Sequence, residues 1–193
     1  YIAHRNDRHN PSGCPVCKSC TETNDHIMQC RATSRAEWRT KLLQQITMGH
    51  SPENYPLLVD LLRDGIQRWL KGNPPPPLTN YPPTYHQLIL SQSGIGWSHL
   101  FRGRWSTLWH AQQSRHQAHT TLEPTTCKPD WVASQARRLV QAWIDVWAIR
   151  TAERHGKDAE EQKEKKRQHI YSQLQEIYQL KNKVSPAHRT LFL

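Results

Sequence analysis

Residues 14–30 read CPVCKSCTETNDHIMQC, and no other stretch constrains the chain as much. It holds Cys14, Cys17, Cys20 and Cys30, four of the five cysteines, together with His26. Thiolates and imidazole at this density are the donors of a tetrahedral zinc site. Cys14-x-x-Cys17 has the spacing at which one tight turn presents two sulfurs to one metal. His26 and Cys30 stand four apart, which on a helix puts both on one face, one turn from each other. A metal would then join a loop pair to a helix pair. From Ser12 to Asp25 there is almost no large apolar residue, so little else could fasten that loop to a core.

Cys20 leaves the ligand set open. Cys14, Cys17 and Cys20 repeat at the three-residue spacing of iron–sulfur runs. Three sets compete: Cys14/Cys17/His26/Cys30, Cys14/Cys17/Cys20/Cys30, and a cluster held by Cys14, Cys17, Cys20 and Cys30. The shared helical face favours the first, with Zn2+ as the ion and Cys20 a spare thiol. Four protein ligands close the shell and leave no place for an activated water, so the expected role is structural. The segment YIAHRNDRHNPSG is polar and basic, with no apolar stretch of a secretory signal. Crowded cysteines without such a signal argue for metal over disulfides, and for an intracellular setting, nuclear or cytoplasmic. The chain opens on Tyr1 rather than Met, as expected of a piece of a longer protein.

The rest of the chain reads as helices. Ile27, Cys30, Ser34, Trp38, Leu42 and Ile46 recur at three- and four-residue spacing, predicting one helix from about Thr23, capped by Thr23 or Asn24, to Met48. Leu57, Leu58, Leu61, Leu62, Ile66, Trp69 and Leu70 predict a second over about 54–71, stopped by Gly72; Gly65 within it implies close packing on a neighbour. NPPPPLTNYPPT, residues 73–84, is the expected boundary, a rigid spacer of polyproline character. Further helices are predicted over about 85–93, 97–116, 129–155 and 157–183, with Gly94, Gly96 and Gly156 as breaks and loop at 119–127. The 97–116 face carries Trp97, Leu100, Phe101, Trp105, Leu108, Trp109 and Gln112. The 129–155 face carries Val132, Ala136, Leu139, Val140, Trp143, Ile144 and Trp147. Trp97, Trp105, Trp109, Trp143 and Trp147 are expected to be core; Trp131 is the least committed. The last helix opens on charges and ends on Ile170, Tyr171, Leu174, Ile177 and Tyr178. No alternating run suggests a strand. The reading is all-α: a small N-terminal zinc knuckle and first helix (1–49), a second helix (50–72), the linker (73–84), a Trp-rich helical domain (85–156) and a charged C-terminal helix and tail (157–193).

Charge narrows the function. With 26 Lys+Arg against 16 Asp+Glu the formal net charge is +10, which favours an acidic partner, most often nucleic acid. No run approaches the roughly 18 apolar residues of a membrane span. There is no phosphate-cradling glycine loop and no paired carboxylate in a plausible pocket; Asp130 reads as a helix cap. Arg31, Arg35 and Arg39 step along the first helix at one-turn spacing and, with Lys18, form the expected phosphate-facing set.

CPVC followed by TETNDHIMQC resembles the zinc-binding segment downstream of the polymerase in reverse transcriptases of LINE-type (non-LTR) retrotransposons. The matching positions are Cys14, Cys17, His26 and Cys30. More faintly, IGWSHLFRGRWSTLWHAQQ and the Trp143/Trp147/Arg150 stretch are similar to C-terminal regions of reverse-transcriptase-like proteins. The extra Cys20 departs from the pattern, and no Tyr-x-Asp-Asp or palm-like strand pattern is present. The resemblance implies a nucleic-acid-binding appendage, not catalytic by itself, beside the polymerase domain of a parent protein. The competing expectation is a protein-interaction domain with a purely structural zinc.

Overall fold

A computed structural model describes residues 13–18, 21–48, 56–120, 130–180 and 183. Among these there is no strand; one antiparallel bridge pairs Gly13 with Thr21. The chain is all-α, as its periodicity predicts. The described helices are α1 (Asn24–Gln29), α2 (Thr33–Met48), α3 (Pro56–Leu70), the 3-10 turn η1 (Leu78–Asn80), α4 (Pro83–Ile95), the 3-10 segment η2 (Trp97–Arg102), α5 (Leu108–Thr120), α6 (Trp131–His155) and α7 (Ala159–Gln179). Two compact units result, Tyr1–Trp147 and Ala148–Leu193. The lead-in before Gly13, Cys20, the expected stops at Gly49 and Pro52, Cys127, Pro129 and the tail from Val184 lie outside the described residues.

In the first unit α3 is the central element. Leu58, Val59, Leu61, Leu62, Ile66 and Leu70 are buried on it, against α2, α5 and η2. Removing each such side chain from water contributes roughly 1.5–3 kcal/mol. The close approach expected at Gly65 is present: a β-carbon there would lie 1.9 Å from the Trp97 ring. That ring meets Trp109 edge-on, with centroids 6.4 Å apart. Trp109, fully buried, also contacts Trp105 and Trp131. Trp131 is thus core. Trp105, Trp143 and Trp147 are half-buried.

Buried polar side chains fix the turns. The Gln92 Oε1 accepts from the Ser106 N–H and the Trp109 Nε1–H, both at 3.0 Å. Gln113 Oε1 accepts from the Val132 N–H at 3.2 Å, joining α5 to the start of α6. The Asp130 carboxylate accepts from the Ala133 N–H at 3.1 Å, the cap read from the sequence.

Three expectations are corrected. Residues 97–116 are not one helix. Gly103 adopts φ 73 and its N–H turns back to the His99 and Leu100 carbonyls, so η2 closes and α5 starts afresh at Leu108. The predicted α6 face is rotated: Trp131, Val132, Gln135, Leu139, Ala142 and Val146 are buried, whereas Ile144 is exposed. Gln135 and Ala142 complete the three- and four-residue series that the larger apolar residues obscure. The helix expected from Thr23 to Met48 is two helices, for a reason given below.

The proline-rich segment lies inside the first unit. Pro76 is buried, and the Tyr81 hydroxyl donates to Asp64 of α3 at 3.2 Å, beside the Arg68 guanidinium on the same carboxylate. Burial, then the Asp64 charge, raises the Tyr81 pKa, keeping the phenol a donor.

In the second unit Gly156, at φ 106, ends α6. The N-cap Asp158 accepts from the Glu161 N–H and Glu161 from the Lys157 N–H just before the cap, both at 2.9 Å, and together they open α7. Lys165 donates to the Ala152 and Glu153 carbonyls and holds the turn.

Candidate metal centre

Cys14 and Cys17 stand on one tight turn. The Lys18 N–H donates to the Cys14 carbonyl at 3.0 Å and closes it. Lys18 takes φ 55, a left-handed conformation that costs a residue with a β-carbon roughly 1–2 kcal/mol. Such strain persists where surrounding structure over-determines it.

The second pair comes from α1. The Thr23 hydroxyl caps that helix by accepting from the His26 N–H at 3.0 Å. The Cys30 N–H donates to the His26 carbonyl at 2.7 Å, so the two ligands keep the predicted one-turn spacing. Cys30 itself leaves the helix, with φ −54 and ψ 134. Its departure ends α1 and brings its sulfur to Cys14. A new helix begins when the Ala32 carbonyl accepts from the Arg35 and Ala36 N–H groups. Thr33 and Ser34, which favour helix starts over interiors, are the sequence signal of that break.

The four donor atoms converge. Cys14 Sγ and Cys30 Sγ lie 3.8 Å apart, and Cys17 Sγ lies 3.3 Å from His26 Nε2. All four lie within 4.8 Å of one another. Tetrahedral zinc, with bonds of about 2.3 Å to sulfur and 2.0 Å to nitrogen, sets sulfur–sulfur edges of roughly 3.8 Å and sulfur–nitrogen edges of roughly 3.5 Å. The residues fit that ion. The sulfurs of Cys14 and Cys30 are far beyond the roughly 2.05 Å of a disulfide, and both thiols are free.

Burial sets the protonation. Cys14 and Cys30 are 3% and 2% exposed, while Cys17 and His26 are half-buried. The Cys30 thiol is pushed up to about 11, first by burial and further by its neighbours Cys14 and Cys17, against a hydrogen bond at Ala32. Four closely spaced donors around buried sulfur favour a cation there, because it replaces the protons and relieves the repulsion among thiolates.

The knuckle is docked as well as folded. Ile27 and Met28 of α1 are buried. The Gln29 amide donates to the Trp69 carbonyl at 2.7 Å, tying α1 to the end of α3. Arg39 of α2 donates through one Nη to the Met28 and Cys30 carbonyls, at 2.9 and 2.6 Å.

The expected phosphate-facing row of arginines is not presented to solvent as a row. Lys18 and Arg31 are exposed, Arg39 is half-buried on the two carbonyls, and Arg35 is 1% exposed. Arg35 stands three residues before Trp38 and seven before Leu42, so it shares their buried face. The arginine row read from the spacing as a face opposite the Ile27/Trp38/Leu42 stripe is therefore corrected at Arg35, which lies on that stripe. Sequence reasoning also missed Gln29 and Arg39 as braces; their only signal is a position beside the ligand segment or on the helix following it.

Comparison with known protein families, with curated proteins and with solved structures finds no match to this chain.

Proposed function

We propose that Cys14, Cys17, His26 and Cys30 hold one structural Zn2+. In this reading the chain is a non-catalytic nucleic-acid-binding module of a retroelement reverse-transcriptase-like protein. The convergence of four thiol and imidazole donors among the described residues, with two of their separations close to tetrahedral edges, carries the first part. Zinc in such a closed shell cross-links, and its free energy of binding becomes free energy of folding. The residues do the rest: the turn presents two sulfurs, Thr23 orients α1, and Cys30 bends away to complete the set.

Nucleic-acid binding is supported by the net charge of +10 and by two exposed cations, Lys18 and Arg31, each adjacent to a ligand. Zinc would hold both at a fixed separation, as phosphate contacts require. Arg35 and Arg39 serve the interior in this account, so the contact set contracts to Lys18 and Arg31. Anisotropy titrations with labelled single-stranded RNA and duplex DNA, repeated over a salt series, test it. Affinity should fall steeply with salt, and each of Lys18→Ala and Arg31→Ala should flatten the log–log slope by about one. Absence of binding to any nucleic acid at low salt contradicts the proposal.

One observation favours a protein-interaction domain instead. Ile170, Leu174 and Ile177 on α7 are 46%, 44% and 48% exposed and form an apolar stripe. Capture of a protein partner with little salt dependence, lost on Leu174→Glu, would favour that reading.

A further inference from the structure

Arg39 touches the backbone of the metal centre rather than its donor atoms. One Nη spans two carbonyls, those of Met28 and Cys30, where α1 ends and the chain turns away. The last carbonyls of a helix have no partner within it, and this end also carries the negative pole of the helix dipole. A guanidinium there satisfies two acceptors and fixes the backbone of a ligand at its point of departure from the helix. The location has a second consequence. A Cys3His shell around Zn2+ has three thiolates against two positive charges, a net negative centre. Arg39, half-buried on the Met28 and Cys30 carbonyls, places its guanidinium beside that centre. Of the three arginines aligned by helix spacing, Arg39 is thus turned toward the metal module.

We propose that Arg39 is a positioning residue for the metal centre: it holds the Cys30 backbone where the sulfur meets Cys14 and balances the thiolate charge. The claim rests on the zinc reading above, and wild-type binding separates the two. Groups that orient metal ligands from outside typically account for about 10–100-fold in affinity. Arg39 has the geometry of such a group, acting on the main chain of a ligand rather than on a histidine ring.

The test is zinc affinity, measured by chelator competition, and the visible absorption of the Co2+-substituted protein. The set comprises wild type, Arg39→Ala, Arg39→Lys and Arg31→Ala. Arg31→Ala removes the same charge from the surface beside Cys30. Arg39→Ala should weaken zinc by about tenfold or more and alter the Co2+ spectrum, Arg39→Lys should lose less, and Arg31→Ala should stay within about threefold. Arg39→Ala within threefold of wild type, or an equal loss in Arg31→Ala, overturns the proposal. Should Arg39→Ala fail to regain helix content in saturating zinc, Arg39→Lys decides: weaker zinc binding than wild type supports the claim, and wild-type affinity overturns it. Failure of wild type itself to bind zinc defeats the metal reading instead.

Discussion

The sulfur of Cys14 lies 3.8 Å from that of Cys30, sixteen residues along the chain. That edge ties the knuckle turn to the end of α1. Cys30 meets Cys14 from outside the helix, at φ −54 and ψ 134. The break after Gln29, the cap at Thr23 and the brace from Arg39 therefore belong to one device.

Protonation predicts how the device responds to pH. Burial pushes the metal-free Cys30 thiol up to about 11, so at neutral pH it carries a proton that zinc must displace. The proton-bound form competes with metal, and affinity should rise with pH. Each displaced proton contributes about tenfold per pH unit, so lowering pH from about 8 to about 6 should weaken zinc by at least about a hundredfold. Chelator competition across that range checks it; a flat profile would argue against thiol ligation.

Gly65 supplies a stability test remote from the metal. Alanine there gains up to about 1 kcal/mol of helix propensity on an exposed helix. Here its β-carbon would overlap the rigid, buried Trp97 ring. Overpacking typically costs about 1–3 kcal/mol, so Gly65→Ala should lower stability by about 1–2 kcal/mol net, read from the denaturant midpoint. A gain in stability would mean that Trp97 does not cover α3 at this point.

Gln92 tests the polar part of the core. It is fully buried and accepts from the Ser106 N–H and the Trp109 indole. Leucine in its place leaves two buried donors without an acceptor, at about 1–3 kcal/mol each. Gln92→Leu should destabilise by about 2–4 kcal/mol and shift the tryptophan fluorescence. Stability equal to wild type would contradict the network.

What could be read beforehand follows from where the determinants lie. Local periodicity placed α3, α4 and α7 and the caps at Thr23 and Asp130, because apolar spacing and capping chemistry act over a few residues. Gly65 announced a close approach, though not that Trp97 makes it. The ligand cluster was legible because metal geometry imposes narrow spacings. The break at Cys30 was harder to read, because Thr33 and Ser34, its local signal, stand within a continuous apolar series and the sulfur's partner is sixteen residues away. Gly103 and Ser106 signalled the η2–α5 break but stood within a persuasive tryptophan series. The α6 face turned because Gln135, polar by type, and Ala142, small, take buried positions that hydrophobic counting passes over. Arg35 shows the same limit, since charge spacing alone does not say which side of a helix meets solvent.

The most direct test of the central claim is metal content of the purified chain, with zinc-edge X-ray absorption, for wild type and three variants. The account predicts one zinc per chain in a three-sulfur, one-nitrogen shell. His26→Ala and Cys14→Ser should lose it, and Cys20→Ser should retain it. Retention of zinc in a four-sulfur shell by His26→Ala, with loss in Cys20→Ser, would contradict the assignment.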